Sequence, residues 1–344
     1  MLSRLKADRW LLLAASVLLL LPLPKLLAAN GLMAGDATAL WPPTYYLQRG
    51  TEVFVYAVFA LSYDILIGFT GIVSFGHSLF LALGAYSVAI VVMKLHLSIW
   101  VSLVVATLVS LTLSVAVGTL SLRLKGHYFA MITLAFAEVG YVLATKLSDW
   151  TGGQDGLSVR VPMWLVSRTN DYYVGLLFLM LMFLLVRRIT RSPLGRVLEA
   201  IRENENRATA LGYNVTAYKV AAMTVSGVVA GFAGVAMTII DTRFAIASLA
   251  TTGPTIEVLL MTVLGGAGTL IGPMIGAAVV RLLAYVLPGL TDISPLFQRW
   301  QFLLGLIYIL TVLFLPFGIV GTYRARVSKA LERVVHPPAR KAAG

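Results

Sequence analysis

The run VSLVVATLVSLTLSVAVGTL, residues 101–120, contains no charged side chain and nothing more polar than serine or threonine. A helix of roughly 20 such residues crosses the ~30 Å of hydrocarbon in a bilayer. With no water there, each backbone N–H and C=O must be satisfied internally, so a spanning segment is either a helix or a strand of a closed barrel. Barrel strands alternate polar and apolar residues, and this run does not. Comparable runs recur near 10–28, 52–69, 78–94, 98–120, 128–146, 172–186, 216–240, 254–264, 271–287 and 300–316. They predict an all-α, polytopic membrane protein with about ten transmembrane or re-entrant helices, the eighth being too short to cross alone. Composition agrees: 59% hydrophobic residues, 12% charged residues and a mean hydropathy of +0.87 exclude a water-soluble globule of 344 residues. The absence of cysteine excludes disulfides and thiolate metal sites.

The net charge of +12 does not point to nucleic acid, because the basic residues lie beside the spans instead of forming one patch. That pattern suits a surface facing anionic lipid. Placing both termini inside puts Arg4, Lys6, Arg9, Arg123, Lys125, the six arginines of 187–212 and the basic residues of 324–341 in the cytoplasm, the majority of the 27 lysines and arginines. The loop 147–171 and the turns near Asp241 and Asp292 then lie outside. The expected organisation is an N-terminal helix in 1–29, a transmembrane domain over 30–321 and a basic cytoplasmic tail over 322–344. The first segment also resembles a secretory signal, with a basic start, an apolar run and small residues at Ala28 and Ala29. Continuation of the run past Pro22 and Pro24, and the even number of spans, favour an uncleaved helix.

Two glycine-rich interruptions break the helical pattern, GFTGIVSFGHSLFLALGAY at 68–86 and LGGAGTLIGPMIGAA at 264–278. Gly68, Gly71 and Gly76 in the first are spaced much like Gly265, Gly268 and Gly272 in the second. Glycine permits either a helix break or a close approach of two backbones. Paired breaks in two halves of a transporter mark a translocation pathway, whereas close packing needs no ligand; both readings stand on the sequence. Ionisable residues inside the spans are Asp64, Glu138, Glu257 and Arg281, and each must face the bundle interior or water. Glu257 and Arg281 fall at heights where they form an ion pair in the outer half, and Glu138 lies near mid-membrane as a candidate for the path. His77 is alone in an apolar context and reads as a packed or capping residue. No phosphate-binding loop, H-E-x-x-H helix or G-x-S-x-G elbow occurs, so this chain carries no machinery for hydrolysing ATP.

Among these spans, the segment RRITRSPLGRVLEAIRENENRATALG, residues 187–212, is a charged, helix-prone island too short for a core of its own. It reads as a docking surface for a soluble partner, with Leu198, Ile201 and Leu211 available to a groove and charges at the rim. The alternative is a solvated loop held by lipid headgroups.

The segments ALSYDILIGFTGIVSFGHSLFLALGAYSVA (60–89), LKGHYFAMITLAFAEV (124–139), TGGQDGLSV (151–159), SPLGRVLEAIRENENRATALGYNVTAYKVAAMTVSGVVAGFAGVAM (192–237) and VLGGAGTLIGPMIGA (263–277) resemble the permeases of branched-chain amino acid ABC importers, of the LivM type. The resemblance covers most of 45–320, and SPLGR followed by AIRENE and ALG is its most specific element. It implies a second, similar permease chain, two cytoplasmic ATP-binding subunits that hold ATP and Mg, and a periplasmic substrate-binding protein, in a bacterial inner membrane and with no nucleic acid. By similarity, 199–212 would be the coupling helix seated in the ATPase. Glu199, Arg202, Glu203 and Arg207 would be its contacts and Gly212 its end. The loop 147–171 would face the binding protein, or else is an ordered turn capping two helices. Urea or short amides are the alternative cargo, toward which DILIGFTGIVSFGH leans less than toward amino acids. A proton- or sodium-coupled secondary transporter would use Asp64, Glu138 and Glu257 as relay groups but leaves 187–212 without a role. A channel or membrane scaffold fits less well again.

Overall fold

The computed structural model describes residues 43–124, 126–289, 299–315 and 317–323. The first expected span, its signal-like alternative, Lys125 and the tail beyond residue 323 lie outside the described residues. Each of the nine remaining spans falls on a helix. In chain order these are α1 (Pro43–Asp64), extended by a π-helical turn (Ile65–Thr70), α2 (His77–Met93), α3 (Ile99–Ser121) and α4 (His127–Lys146). After the short α5 (Ser148–Thr151) come α6 (Arg168–Thr190), α7 (Pro193–Glu203), α8 (Glu205–Ala210) and α9 (Val215–Ala236), the last closing in a second π-helical turn (Met237–Asp241). The chain continues through α10 (Thr252–Gly265), α11 (Ile271–Gly289) and α12 (Trp300–Phe314).

Six of these segments are long and apolar enough to cross a membrane, whereas α2, α10 and α12 are shorter. At 1.5 Å per residue the 14 residues of α10 rise only about 21 Å. This is the eighth run of the sequence, expected to be too short to cross alone. Of the six long segments the most buried are α1, with 89% of its spanning window buried, and α9, with 78%. By contrast α4 is buried over only 22%, so it stands at the periphery of this chain.

Small residues set the packing. The buried face of α3 carries Ser102, Ala106, Ser110, Ser114 and Gly118, one per turn. A Cβ on Gly231 of α9 would come within 2.2 Å of Ser110 Oγ, and one on Gly227 within 2.7 Å of Ser114 Cβ. Backbones approach this closely because, in lipid, dispersion contact between helices substitutes for a hydrophobic driving force. On the face of the bundle away from 187–212, β1 (Leu157–Ser158) pairs antiparallel with β2 (Phe244–Ala245). Arg243 strengthens this closure, donating from Nη2 to Leu165 O at 2.7 Å and to Asp171 Oδ2 at 2.9 Å. The loop around TGGQDG is thus an ordered structure, with Gly152, Gly153 and Gly156 at φ 76°, 64° and 72° where L residues are strained. It presents Trp150, Met163, Trp164 and Val166 as exposed apolar side chains.

Candidate functional site

The two glycine breaks, some 200 residues apart in sequence, touch. The α1 helix widens into its π-helical turn and stops at Gly71, whose φ of 74° is left-handed. The buried Asp64 carboxylate, one residue before that turn, accepts Gly268 N–H at 2.6 Å and Leu270 N–H at 3.3 Å from the second break. A Cβ on Gly68 would lie 2.0 Å from Asp64 Oδ1 and 2.4 Å from Gly268 N, so nothing larger than glycine fits. Gly265 and Gly272 face each other in the same way, a Cβ on Gly265 falling 1.9 Å from Gly272 O, and one on Gly76 falling 2.0 Å from Thr133 O. Five of the six glycines, Gly68, Gly76, Gly265, Gly268 and Gly272, therefore sit at close backbone approaches, and Gly71 is instead required by its left-handed backbone. Side chains and backbone hold the stretch 71–76: Tyr63 Oη donates to Ser74 O at 2.9 Å, Phe75 N–H to Thr133 Oγ1 at 3.1 Å and Ile72 N–H to Leu66 O at 3.0 Å.

Beyond the break, α2 starts inside the bundle. Its Ser78 N–H donates to Thr255 Oγ1 at 2.9 Å, so the N-terminal turns of the short helices α2 and α10 meet. His77 is fully buried, 2.8 Å from Ser62 Oγ through Nε2 and stacked against Phe59, which makes it a packed residue. Among the described residues no group of three or more His, Asp or Glu is placed to hold a metal ion.

The charged island folds as two helices rather than one. Ser192 and Pro193 open α7, with Pro193 at the helix start where its missing N–H costs nothing. Asn204 adopts extended backbone, ends α7 and caps α8, its Oδ1 accepting Arg207 N–H at 2.9 Å. Gly212 closes α8 at φ 87°, with open space where a Cβ would be. Leu198 and Ile201, expected to serve a partner's groove, are instead buried against this chain at 1% and 3% exposure. They anchor α7: Ile201 packs with Ala208, Val215 and Tyr218, and Lys219 Nζ meets Glu205 at 2.7 Å. What faces outward is the row Glu199, Glu203, Arg207 and Leu211, with the neighbouring Tyr213. Arg202 is exposed as well, but its Nη1 reaches in to donate to Gly68 O in the first break. Between α6, α7 and the second break lies a cleft of about 170 Å³ lined by Phe183, Arg187, Thr190, Arg191, Glu199 and the backbone of 268–271.

A second polar cluster sits further along α1, α10 and α11. Arg281 Nη1 meets Glu257 at 2.5 Å, and its Nη2 pairs with Glu52. Tyr285 Oη donates to the other Glu52 oxygen, which also accepts Arg49 Nη1 at 2.9 Å. Arg281 lies over the Tyr56 ring at 3.8 Å and Arg49 over the Tyr285 ring at 3.8 Å. Sequence reasoning placed Glu257 beside Arg281 by helical rise but missed Glu52, Arg49 and Tyr285. The available signal was Arg49 three residues before Glu52, a helical pair at the mouth of an apolar run. Glu138 belongs to neither cluster; it is half-buried on peripheral α4, between exposed Leu134 and Val142.

Residues 46–313 match the family model described as the branched-chain amino acid transport system permease component. The chain is similar to the high-affinity branched-chain amino acid transport system permease protein LivM of Salmonella typhimurium, 28% identical over 323 residues that cover 83% of this chain and 73% of the relative. The LivM protein of Escherichia coli matches with the same identity and coverage. A probable branched-chain amino acid transport permease protein LivM of Methanocaldococcus jannaschii is 27% identical over 184 residues, 51% of this chain and 53% of that one. No solved structure matches the chain.

Proposed function

Since the chain belongs to the branched-chain amino acid transport permease family, we propose that it is the membrane-spanning permease subunit of an ATP-binding cassette importer for leucine, isoleucine and valine. It works with a second, similar permease chain, two cytoplasmic ATPase subunits that bind ATP and Mg, and a periplasmic binding protein. It sits in a bacterial inner membrane with both termini in the cytoplasm and is not itself an enzyme. The observation that carries this reading is the α7–α8 unit: a charged row, Glu199, Glu203 and Arg207, exposed on two helices that are themselves anchored to the membrane domain. Charged side chains on a rigid mount suit a contact that transmits movement, and binding energy from a partner then biases two pre-existing states of the permease.

ATP closes the ATPase pair, α7 and α8 move with it, and the glycine breaks are the points where the bundle gives. Substrate passes between the two permease chains, and Glu138 on peripheral α4 borders that path, because a half-buried carboxylate at this height is costly against lipid. The exposed Trp150, Met163 and Trp164 at the other end offer an apolar face to the binding protein. Uptake into vesicles containing the full complex tests the reading. Accumulation of labelled leucine only with ATP on the ATPase side supports it. Uptake driven by a proton or sodium gradient without ATP contradicts it.

A further inference from the structure

One side chain of the cytoplasmic helix pair reaches both glycine breaks. Arg202, on the last turn of α7, lays its stem on Gly71, where an added Cβ would lie 3.2 Å from Arg202 Cγ. Its Nη1 then donates to Gly68 O, one of the terminal carbonyls that lose their helical donors where α1 stops. The same Nη1 faces Gly268, at 2.8 Å from where a Cβ would stand. On the far side of Gly68, buried Asp64 holds Gly268 N–H and Leu270 N–H. The first break is thus clamped to the second by Asp64 from within the bundle and to α7 by Arg202 from outside it.

The other attachments of α7 differ in kind. Leu198, Ile201 and Gly195 fix it by packing, which is non-directional and tolerates sliding. The Arg202 bond is directional and charge-assisted, and ends on a backbone atom of the break itself. Glu203, the next residue and the last of α7, belongs to the exposed ridge, so displacement there moves Arg202 with no intervening joint.

We infer that Arg202 is the positioning residue that conveys movement of α7 to both glycine breaks at once, and that its guanidinium is pulled off or pressed onto Gly68 O as the ATPase cycles. This rests on the importer reading above. Lysine keeps the charge but not the planar fork and bonds the carbonyl less rigidly.

The test uses the full complex and the absence of cysteine in this chain. A reporter, Val73→Cys, is placed in the first break, where Val73 is 37% exposed. Its maleimide labelling rate on this chain is compared with and without ATP under non-hydrolysing conditions, alongside leucine taken up per ATP hydrolysed. In the otherwise native chain the labelling rate is expected to change with ATP. With Arg202→Gln that change is expected to vanish and uptake per ATP to fall roughly tenfold, the worth of about one charge-assisted hydrogen bond. Arg202→Lys is expected to recover part of both, and it carries the comparison alone if the glutamine variant does not assemble. A native nucleotide response retained in Arg202→Gln, or in the assembled lysine variant if that one stands alone, overturns the inference and leaves the importer reading intact. A reporter chain that assembles with no ATPase overturns the importer reading and the inference with it.

Discussion

At Gly68 and Arg281 one residue decides what its neighbours do. Gly68→Ala would drive a methyl into the Gly268 backbone and into the buried Asp64 carboxylate, which two backbone N–H groups hold in place. It is expected to separate the two breaks and lower the unfolding midpoint of the purified chain; an unchanged midpoint would show that the breaks part without cost. Arg281→Ala leaves Glu52 and Glu257 without their shared cation inside the bundle. The expected loss is about 3 kcal/mol, the low end for breaking a buried pair because Arg49 and Tyr285 still hold Glu52. It is read by thermal unfolding in detergent, and no shift would mean that water already solvates the cluster. Helical rise sufficed to bring Glu257 to Arg281. It did not bring in Glu52, which sits at the mouth of its apolar run and pairs with a residue 229 positions away.

The α7–α8 pair shows where local pattern and tertiary packing part company. SPLGR and AIRENE spell a helix start and an amphipathic turn, and the structure has both. The division at Asn204 was not legible, because an asparagine inside a charged stretch signals a cap only once α8 packs on α9 through Glu205 and Lys219. Likewise Leu198 and Ile201 look available to a partner until α7 lies down on the bundle. Asn204→Ala is expected to cost about 1 kcal/mol of local stability, seen as faster amide exchange over 205–212. Equal exchange would show α8 to be held by Lys219 and the packing of Ala208 without the cap. Glu203→Ala and Arg207→Ala project from the outward row and are expected to lower substrate-stimulated ATP hydrolysis without affecting membrane insertion. Hydrolysis at the native rate in both would remove the ridge from the ATPase contact.

For the molecule as a whole, nine of the described helices follow from apolar runs whose length the bilayer dictates, which is why their positions could be read from sequence. Which helices are central could not, since α3 is more apolar than α1 and yet packing buries α1 and leaves much of α3 exposed. The meeting of the breaks was also hidden, because similar glycine spacing is compatible with two remote sites. The path proposed beside Glu138 is tested at this scale: Glu138→Gln is expected to change the rate of leucine uptake without loss of assembly, and unaltered uptake would return it to a structural role. ATP hydrolysis by this chain reconstituted with its neighbouring permease, ATPase subunits and binding protein, titrated with leucine, isoleucine, valine and urea, tests the importer reading. Stimulation by the three aliphatic amino acids and not by urea is the expected result. Stimulation by urea alone would contradict the cargo, and failure of the chain to assemble with any ATPase would contradict the importer itself.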